Sequence, residues 1–327
     1  MAKSVEAAVS QPISTCPGCG GAHENNTLRI PSDPGPDRRW YAYAHCDACQ
    51  TLTLTDAPPD GEAEYGEGYY SMSAQSSGRV KRLAVAARNA VQTYGPDPVA
   101  TLTERLSEHP VLPRIRPILR GDFGRKIGRH DAWLDIGCGS GALLRDMADI
   151  GFTDLTGADP YVPRHIVADG ISLFRSPGID LPRRFDCVMM NHSLEHVAKP
   201  EITLAGLHDI LEPGGVVLIR IPLVGLLFSR YGGEWGNLDA PRHLTLWSAN
   251  GFRRAAERAG WRIARTTFDA KPRSIYASEG RLRGLSEHRD DVRSAFTKAE
   301  HRQFGAEIRR MNRAGVSDTA AFYLTQL

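Results

Sequence analysis

Three groups of residues in this 327-residue chain have types and spacings that could do chemistry. The first is Cys16-Pro-Gly-Cys19 with Cys46-Asp-Ala-Cys49. Each C-x-x-C pair is a tight turn that aims two thiolates at one point. Two such turns supply the four sulfur ligands that a structural Zn²⁺ takes. The second is Asp135 with Gly137, Cys138, Gly139 and Gly141, in the run Trp-Leu-Asp-Ile-Gly-Cys-Gly-Ser-Gly. Its glycines let the backbone turn sharply and a ligand come close. A helix N-terminus behind them offers unpaired N–H groups. That is how an α/β protein builds a nucleotide-type cofactor site. The third is His192, Glu195 and His196, with His243 further on. Histidine is the side chain best suited to take a proton near neutral pH.

These residues need elements to hold them. Residues 1–14 read as a disordered tail and 15–56 as a zinc ribbon, with short alternating strands at Thr27–Ile30, Trp40–Ala44 and Thr51–Thr55. A module this small builds little core alone, so metal would supply much of its stability. Residues 57–125 read as a linker, a tyrosine-rich segment and helices. There Tyr65, Tyr69 and Tyr70 either face a substrate or pack the ribbon down. From about residue 126 to 327, strands and helices alternate, which predicts a parallel sheet covered on both faces. Strands are expected at 132–136, 154–158, 171–174, 185–190, 216–221 and 261–268, with a closing strand at 320–327. Helices are expected at 142–150, 200–211 and 250–260, with a Leu-Glu-Pro-Gly-Gly turn at 211–215. Residues 270–317 read as largely helical, with Arg273, Ser274, Tyr276, Ser278 and Glu279 placed to close over a substrate or to cap the fold.

Composition narrows the classes. Net charge is +2, so charge alone gives no reason to expect nucleic acid or an acidic membrane as partner. The most apolar run, 216–228, is interrupted by Arg220 and Pro222 and is too short for a membrane span. No signal-peptide core opens the chain, so a cytoplasmic protein is expected. Of six cysteines, Cys138 and Cys187 sit in apolar strand contexts and read as small buried residues. In a reducing compartment the other four favour metal over disulfides.

The glycines alone leave the cofactor open, because Gly137-x-Gly139-x-x-Ala142 also fits the dinucleotide fingerprint. A carboxylate at Asp135 suits a ligand ammonium and would harm a pyrophosphate site. Asp159 ends the next strand and suits the ribose of either cofactor. Three further motifs decide: Gly157-Ala-Asp159-Pro, the Leu194-Glu-His196 segment and the Pro213-Gly-Gly turn. With the glycine loop, they make the sequence resemble the class I S-adenosylmethionine-dependent methyltransferases over about residues 120–327. The resemblance implies a Rossmann-like, mostly parallel sheet with a closing antiparallel strand. It implies that the glycine loop cradles the methionine part of the cofactor and that Asp135 orients its amino group. Asp159 would hold the ribose, Pro160 and Tyr161 would flank the adenine, and Asn191 and His192 would line the sulfonium side. The acid that contacts adenine in many members has no counterpart in Phe174-Arg-Ser-Pro-Gly178.

A narrower resemblance rests on Ile219-Arg-Ile-Pro222, on Tyr231-Gly-Gly-Glu-Trp235 running to Pro241-Arg242-His243, and on the cysteine-rich start. It points to bacterial methyltransferases of glycan and natural-product pathways. The expected acceptor is therefore a small molecule or glycan precursor, methylated on oxygen, nitrogen or carbon. His243, His192 and His196 are the candidate bases, with Glu195, Tyr69 and Tyr70 beside them; Asp239 and Arg242 could orient His243 or grip an anionic acceptor. His192-x-x-Glu195-His196 also fits a metalloprotease pattern, which its place at a strand end argues against. Some O-methyltransferases resembling this core bind a divalent cation at this segment. His192 stands there in place of an acid, so no metal is expected. Two alternatives stay open: an RNA or protein methyltransferase that docks its substrate on the ribbon, and a non-catalytic cofactor-binding regulator.

Overall fold

The computed structural model describes residues 15–22, 26–35, 38–55, 112–168, 170–286 and 291–327. Tyr65, Tyr69, Tyr70 and most of the 57–125 segment lie outside these residues, as does the 1–14 tail. The strands are β1 (Thr27–Pro31), β2 (Trp40–His45), β3 (Leu52–Leu54), β4 (Ala132–Ile136), β5 (Asp154–Ala158), β6 (Ile166–Ala168), β7 (Ile171–Phe174), β8 (Phe185–Asn191), β9 (Leu211–Val224), β10 (Thr245–Ser248), β11 (Trp261–Phe268) and β12 (Thr319–Gln326). The helices are α1 (Leu112–Arg120), α2 (Ala142–Asp149), α3 (Pro200–Ile210), α4 (Leu226–Tyr231), α5 (Ala249–Arg258), α6 (Arg273–Leu282) and α7 (Lys298–Ala314). Among the described residues no helix is long and apolar enough to cross a membrane.

The chain divides into two compact units, each made of discontinuous segments. The glycine-loop unit comprises residues 65–191, 203–219 and 323–327. Its strands run in the order β9-β8-β4-β5-β7-β6. The β4–β5, β4–β8 and β5–β7 pairs are parallel, and β6 is antiparallel to its neighbour β7. Strand β4 is buried along its whole length, as a central parallel strand must be. The order reverses between β4 and β8, and the glycine loop leaves the carboxyl end of β4 at that reversal. This is where open α/β sheets bind ligands.

The ribbon unit comprises residues 1–64, 192–202 and 220–322. Strands β1, β2 and β3 form an antiparallel meander. Strand β3 pairs antiparallel with β10, and β10 pairs parallel with the end of β9. The ribbon therefore continues a sheet instead of standing alone. Strand β12 pairs with β9 and β11, as a closing strand should. Its apolar core gathers Tyr43, Leu52, Trp235, Leu246, Ile275 and Phe304.

Several elements depart from expectation, among them β6 and α4, neither of which was expected from the sequence. The predicted turn at 211–215 is absorbed into β9, with Gly214 at φ +74° supplying the bend inside the strand. Strand β10 was not anticipated, because all four of its residues are buried and none alternates with a polar face.

Candidate cofactor and acceptor sites

The glycine loop is held from two sides. Gly137, Gly139 and Gly141 have φ of 78°, 51° and 76°, a region that other residues adopt at a cost. Gly137 N–H donates to the Ala158 carbonyl at 2.7 Å, closing the loop onto the end of β5. Asp159 fastens it further: its two oxygens accept from Gly139 N–H and Tyr161 N–H, each at 2.9 Å. Each oxygen keeps a second lone pair for a ligand hydroxyl. Pro160 and Tyr161 follow directly, both exposed. The Cys138 and Cys187 thiols are buried, and burial pushes both well up, so neither ionises near neutral pH.

Asp135 and Asn191 are the informative pair. Both sit toward the carboxyl ends of neighbouring strands β4 and β8. Asp135 is 3% exposed, and its Oδ1 has no hydrogen-bond partner. Asn191 Oδ1 and Nδ2 are also buried without partners. Burial pushes the Asp135 carboxyl up to about 7; the Asn191 amide beside it opposes this and the Asp159 charge adds to it. A buried polar atom left unpaired costs about 1–3 kcal/mol. Three such atoms, one an acceptor able to ionise, fit a polar cationic ligand seated beside the glycine loop. Sequence reasoning missed His165 stacked on Phe174 at 4.2 Å between ring centroids, and Arg175 donating to the Pro160 carbonyl at 3.2 Å. No local motif marks either.

In the ribbon unit, His192 opens the segment after β8 at φ +51°. The Arg220 guanidinium contacts its Nε2, and its Nδ1 lies 3.2 Å from Glu195 Oε1. Arginine only donates, so Nε2 accepts and Nδ1–H donates to Glu195. Both nitrogens of His192 are thereby engaged, which argues against its use as a base. Asp269 holds Arg220 in turn, accepting from its Nε at 2.9 and 3.0 Å.

Glu195 is fully buried. Burial favours its neutral form. The His192 hydrogen bond, with the electrostatic effect of the His192, His196 and His243 rings around it, outweighs burial and holds the carboxyl down at about 2. The Nδ1 of His196 donates to the Arg242 carbonyl, and that of His243 to the Asn237 carbonyl, each at 2.9 Å. The two rings meet edge to face with centroids 4.7 Å apart. Burial and the His196 charge lower His243 to about 4, against Asp239, Glu195 and the Asn237 carbonyl. Its Nε2 lies 4.0 Å from both Glu195 Oε1 and Asp239 Oδ2.

The loop that delivers His243 is tied down throughout. Trp235 Nε1–H and Asn237 Nδ2 donate to Asp318 Oδ2 at 2.9 and 3.0 Å. The Ala240–Pro241 bond is cis. Tyr43 donates to the His243 carbonyl at 2.8 Å, and Leu244 N–H to the Glu195 carbonyl at 2.8 Å. Arg242 pairs with Asp239. Several residues after β11 are bonded within the fold. Ser278 accepts from Gly236 N–H, Ser274 bonds Asp318, Tyr276 meets His301, and Glu279 accepts from Tyr231.

The four ribbon cysteines converge. Cys16 and Cys49 Sγ are 3.5 Å apart, Cys19 and Cys46 Sγ 3.5 Å, and all four lie within 4.8 Å of one another. Sulfurs about 2.3 Å from a tetrahedral Zn²⁺ sit about 3.8 Å apart, so the donor set fits that ion. The Cys16 contact lowers the Cys49 thiol to about 4 despite its burial, with Thr51 assisting.

Residues 83–266 match the family described as a methyltransferase domain. The chain belongs to this family. Among curated relatives of the chain is the ubiquinone biosynthesis O-methyltransferase of Ruegeria pomeroyi. It is 32% identical over 114 residues, covering 30% of this chain and 46% of the relative. The enzyme of that name from Cereibacter sphaeroides is 34% identical over 130 residues, covering 35% and 52%. The chain thus spans about half the length of the curated relatives it matches. A solved cyclopropane synthase from Mycobacterium tuberculosis is similar to this chain at 16% identity and a TM-score of 0.42, covering 77% of this chain and 99% of that one.

Proposed function

We propose that this methyltransferase moves a methyl group from S-adenosylmethionine to a hydroxyl of a small-molecule or glycan-precursor acceptor. The observation that carries the reading is the set of unpartnered buried atoms of Asp135 and Asn191 beside a glycine loop with Asp159 at the next strand end. In this reading Asp135 takes the ammonium of the methionine part and Asp159 the ribose hydroxyls. Tyr161 and Pro160 flank the adenine, and Asn191 lines the sulfonium side. S-adenosylmethionine supplies an electrophilic methyl on a sulfonium, so the chain's task is alignment and removal of the acceptor proton. That proton is lost at the Glu195, His196 and His243 cluster, and His192 positions Glu195. The name of the relatives supports oxygen as the acceptor atom. The ribbon holds a structural zinc on Cys16, Cys19, Cys46 and Cys49.

Calorimetry tests the first half. S-adenosylmethionine should bind at one site, and Asp135→Asn should weaken it at least tenfold. A folded chain that ignores S-adenosylmethionine and binds NADH overturns the reading. His243→Ala should bind the cofactor normally and lose turnover.

A further inference from the structure

The backbone of His243 and Leu244 is a crossroads within the ribbon unit. His243 N–H donates to the Asp239 carbonyl at 3.2 Å, and the His243 carbonyl accepts from the Tyr43 hydroxyl at 2.8 Å. Leu244 N–H donates to the Glu195 carbonyl at 2.8 Å, and the Leu244 carbonyl accepts from Leu54 N–H at 2.9 Å. These bonds set His243 against Glu195, and two of them come from the ribbon: Tyr43 on β2 and Leu54 on β3. The two ribbon residues face each other across the β2–β3 ladder, and both are buried. Phenylalanine would fill the place of Tyr43 in the apolar core equally well. What the hydroxyl adds is its bond to the backbone of the candidate base.

The turn that joins β2 to β3 is one of the two cysteine knuckles. Cys46 N–H donates to the Thr51 carbonyl at 3.0 Å, and Gln50 N–H to the Cys46 carbonyl at 2.6 Å. Gln50 stands at φ +62°, a conformation that a residue with a side chain adopts at a cost. In a hairpin the turn sets the register, and a slip of one residue sends every side chain to the opposite face. An ion shared by Cys46 and Cys49 with Cys16 and Cys19 would offset the cost of the turn and lock that register. It would thereby hold the Tyr43 hydroxyl on the His243 carbonyl.

We propose that the β2–β3 hairpin is a metal-held strut for the acid–base cluster, with Tyr43 the positioning residue that sets where His243 stands against Glu195. The zinc ribbon then serves the reaction as well as the fold. The inference rests on the methyl-transfer reading only for what the ring does, which is to take the acceptor proton.

The test uses the full, zinc-loaded chain labelled with ¹⁵N in histidine. Nuclear magnetic resonance reads how fast the His243 Nδ1 proton, donated to the Asn237 carbonyl, exchanges with water. Tyr43→Phe keeps the aromatic ring and all four sulfurs. Exchange should quicken roughly threefold to tenfold, the size of one lost hydrogen bond. Chelating the zinc should quicken it by roughly tenfold or more, as the whole hairpin loosens. The His301 ring, bonded to Tyr276, should keep its chemical shifts and so report a folded unit. Zn²⁺ or Cd²⁺ returned to the stripped chain should restore the protection, because both ions take thiolates. Unchanged exchange in Tyr43→Phe, or in a stripped chain that stays folded, overturns the strut. If stripping unfolds the chain, Tyr43→Phe decides alone. Calorimetry with S-adenosylmethionine on the same samples separates the two readings. A His243 proton that responds as expected in a chain without cofactor binding sinks the methyltransferase reading and keeps the strut. Cofactor bound equally by the chain and by Tyr43→Phe, with exchange unchanged, sinks the strut alone.

Discussion

Asp135 shows how one residue couples ligand, proton and stability. Its folded value of about 7 stands above the 3.8 of an unburied aspartate. A raised carboxyl stabilises the fold fully below pH about 4, and that contribution is lost as pH rises to about 7. The ligand-free chain should therefore melt progressively lower over this window, and Asp135→Asn should flatten that part of the profile. A bound ammonium favours the ionised carboxylate, so binding expels a proton. Cofactor affinity should rise with pH and level off above about 7. Calorimetry in two buffers of different ionisation heat would show the released proton. Replacing the carboxylate by an amide removes a charge-assisted bond of about 1.5–3 kcal/mol, roughly tenfold to a hundredfold in affinity. At the same scale, Gly157 has no room for a side chain: a Cβ there would meet Leu173 at 2.6 Å and Cys138 at 2.7 Å. Gly157→Ala should cost about 1–3 kcal/mol by overpacking, read as a lower urea midpoint.

Among the elements, the join between the cysteine knuckles and α5 carries the most consequence. Ser248 caps α5 by accepting from Gly251 N–H at 2.8 Å, and its hydroxyl donates to the Cys49 carbonyl. At the other end of the helix, Arg258 donates to the Gly18 carbonyl and, at 2.8 Å, to that of Pro17. Both knuckles thus rest on one helix, and β3 pairs with β10, which leads into it. Cys49→Ser, which takes one thiolate from the proposed zinc set, should lower the melting temperature of the chain, not merely loosen its first fifty residues. Gly251→Ala should do so with zinc still bound, because a Cβ there would lie 2.0 Å from Thr51 Oγ1. Zinc analysis alongside thermal melting tells the two apart.

For the molecule as a whole, Trp235 is among the largest fully buried side chains of the ribbon unit and is bonded through Nε1 to Asp318. Trp235→Ala should cost about 3–5 kcal/mol, enough to unfold a marginal chain, and is checked by chemical denaturation. The strands at 132–136, 154–158 and 171–174, the glycine loop and the cysteine pairs were legible in the sequence. Each is a local pattern: apolar runs, glycines that must turn, two thiols on one knuckle. The family motifs added Asp159 and the segment at 194–196 by the same local logic. Strand β10, the seating of the ribbon on α5, and the meeting of Glu195 and His196 with His243 could not be read this way. They depend on contacts between residues far apart in the chain, which spacing does not encode. The fate of His192 belongs with them. Its sequence position offered a base, and only Arg220 and Glu195, brought to its two nitrogens by the fold, turned it into a support.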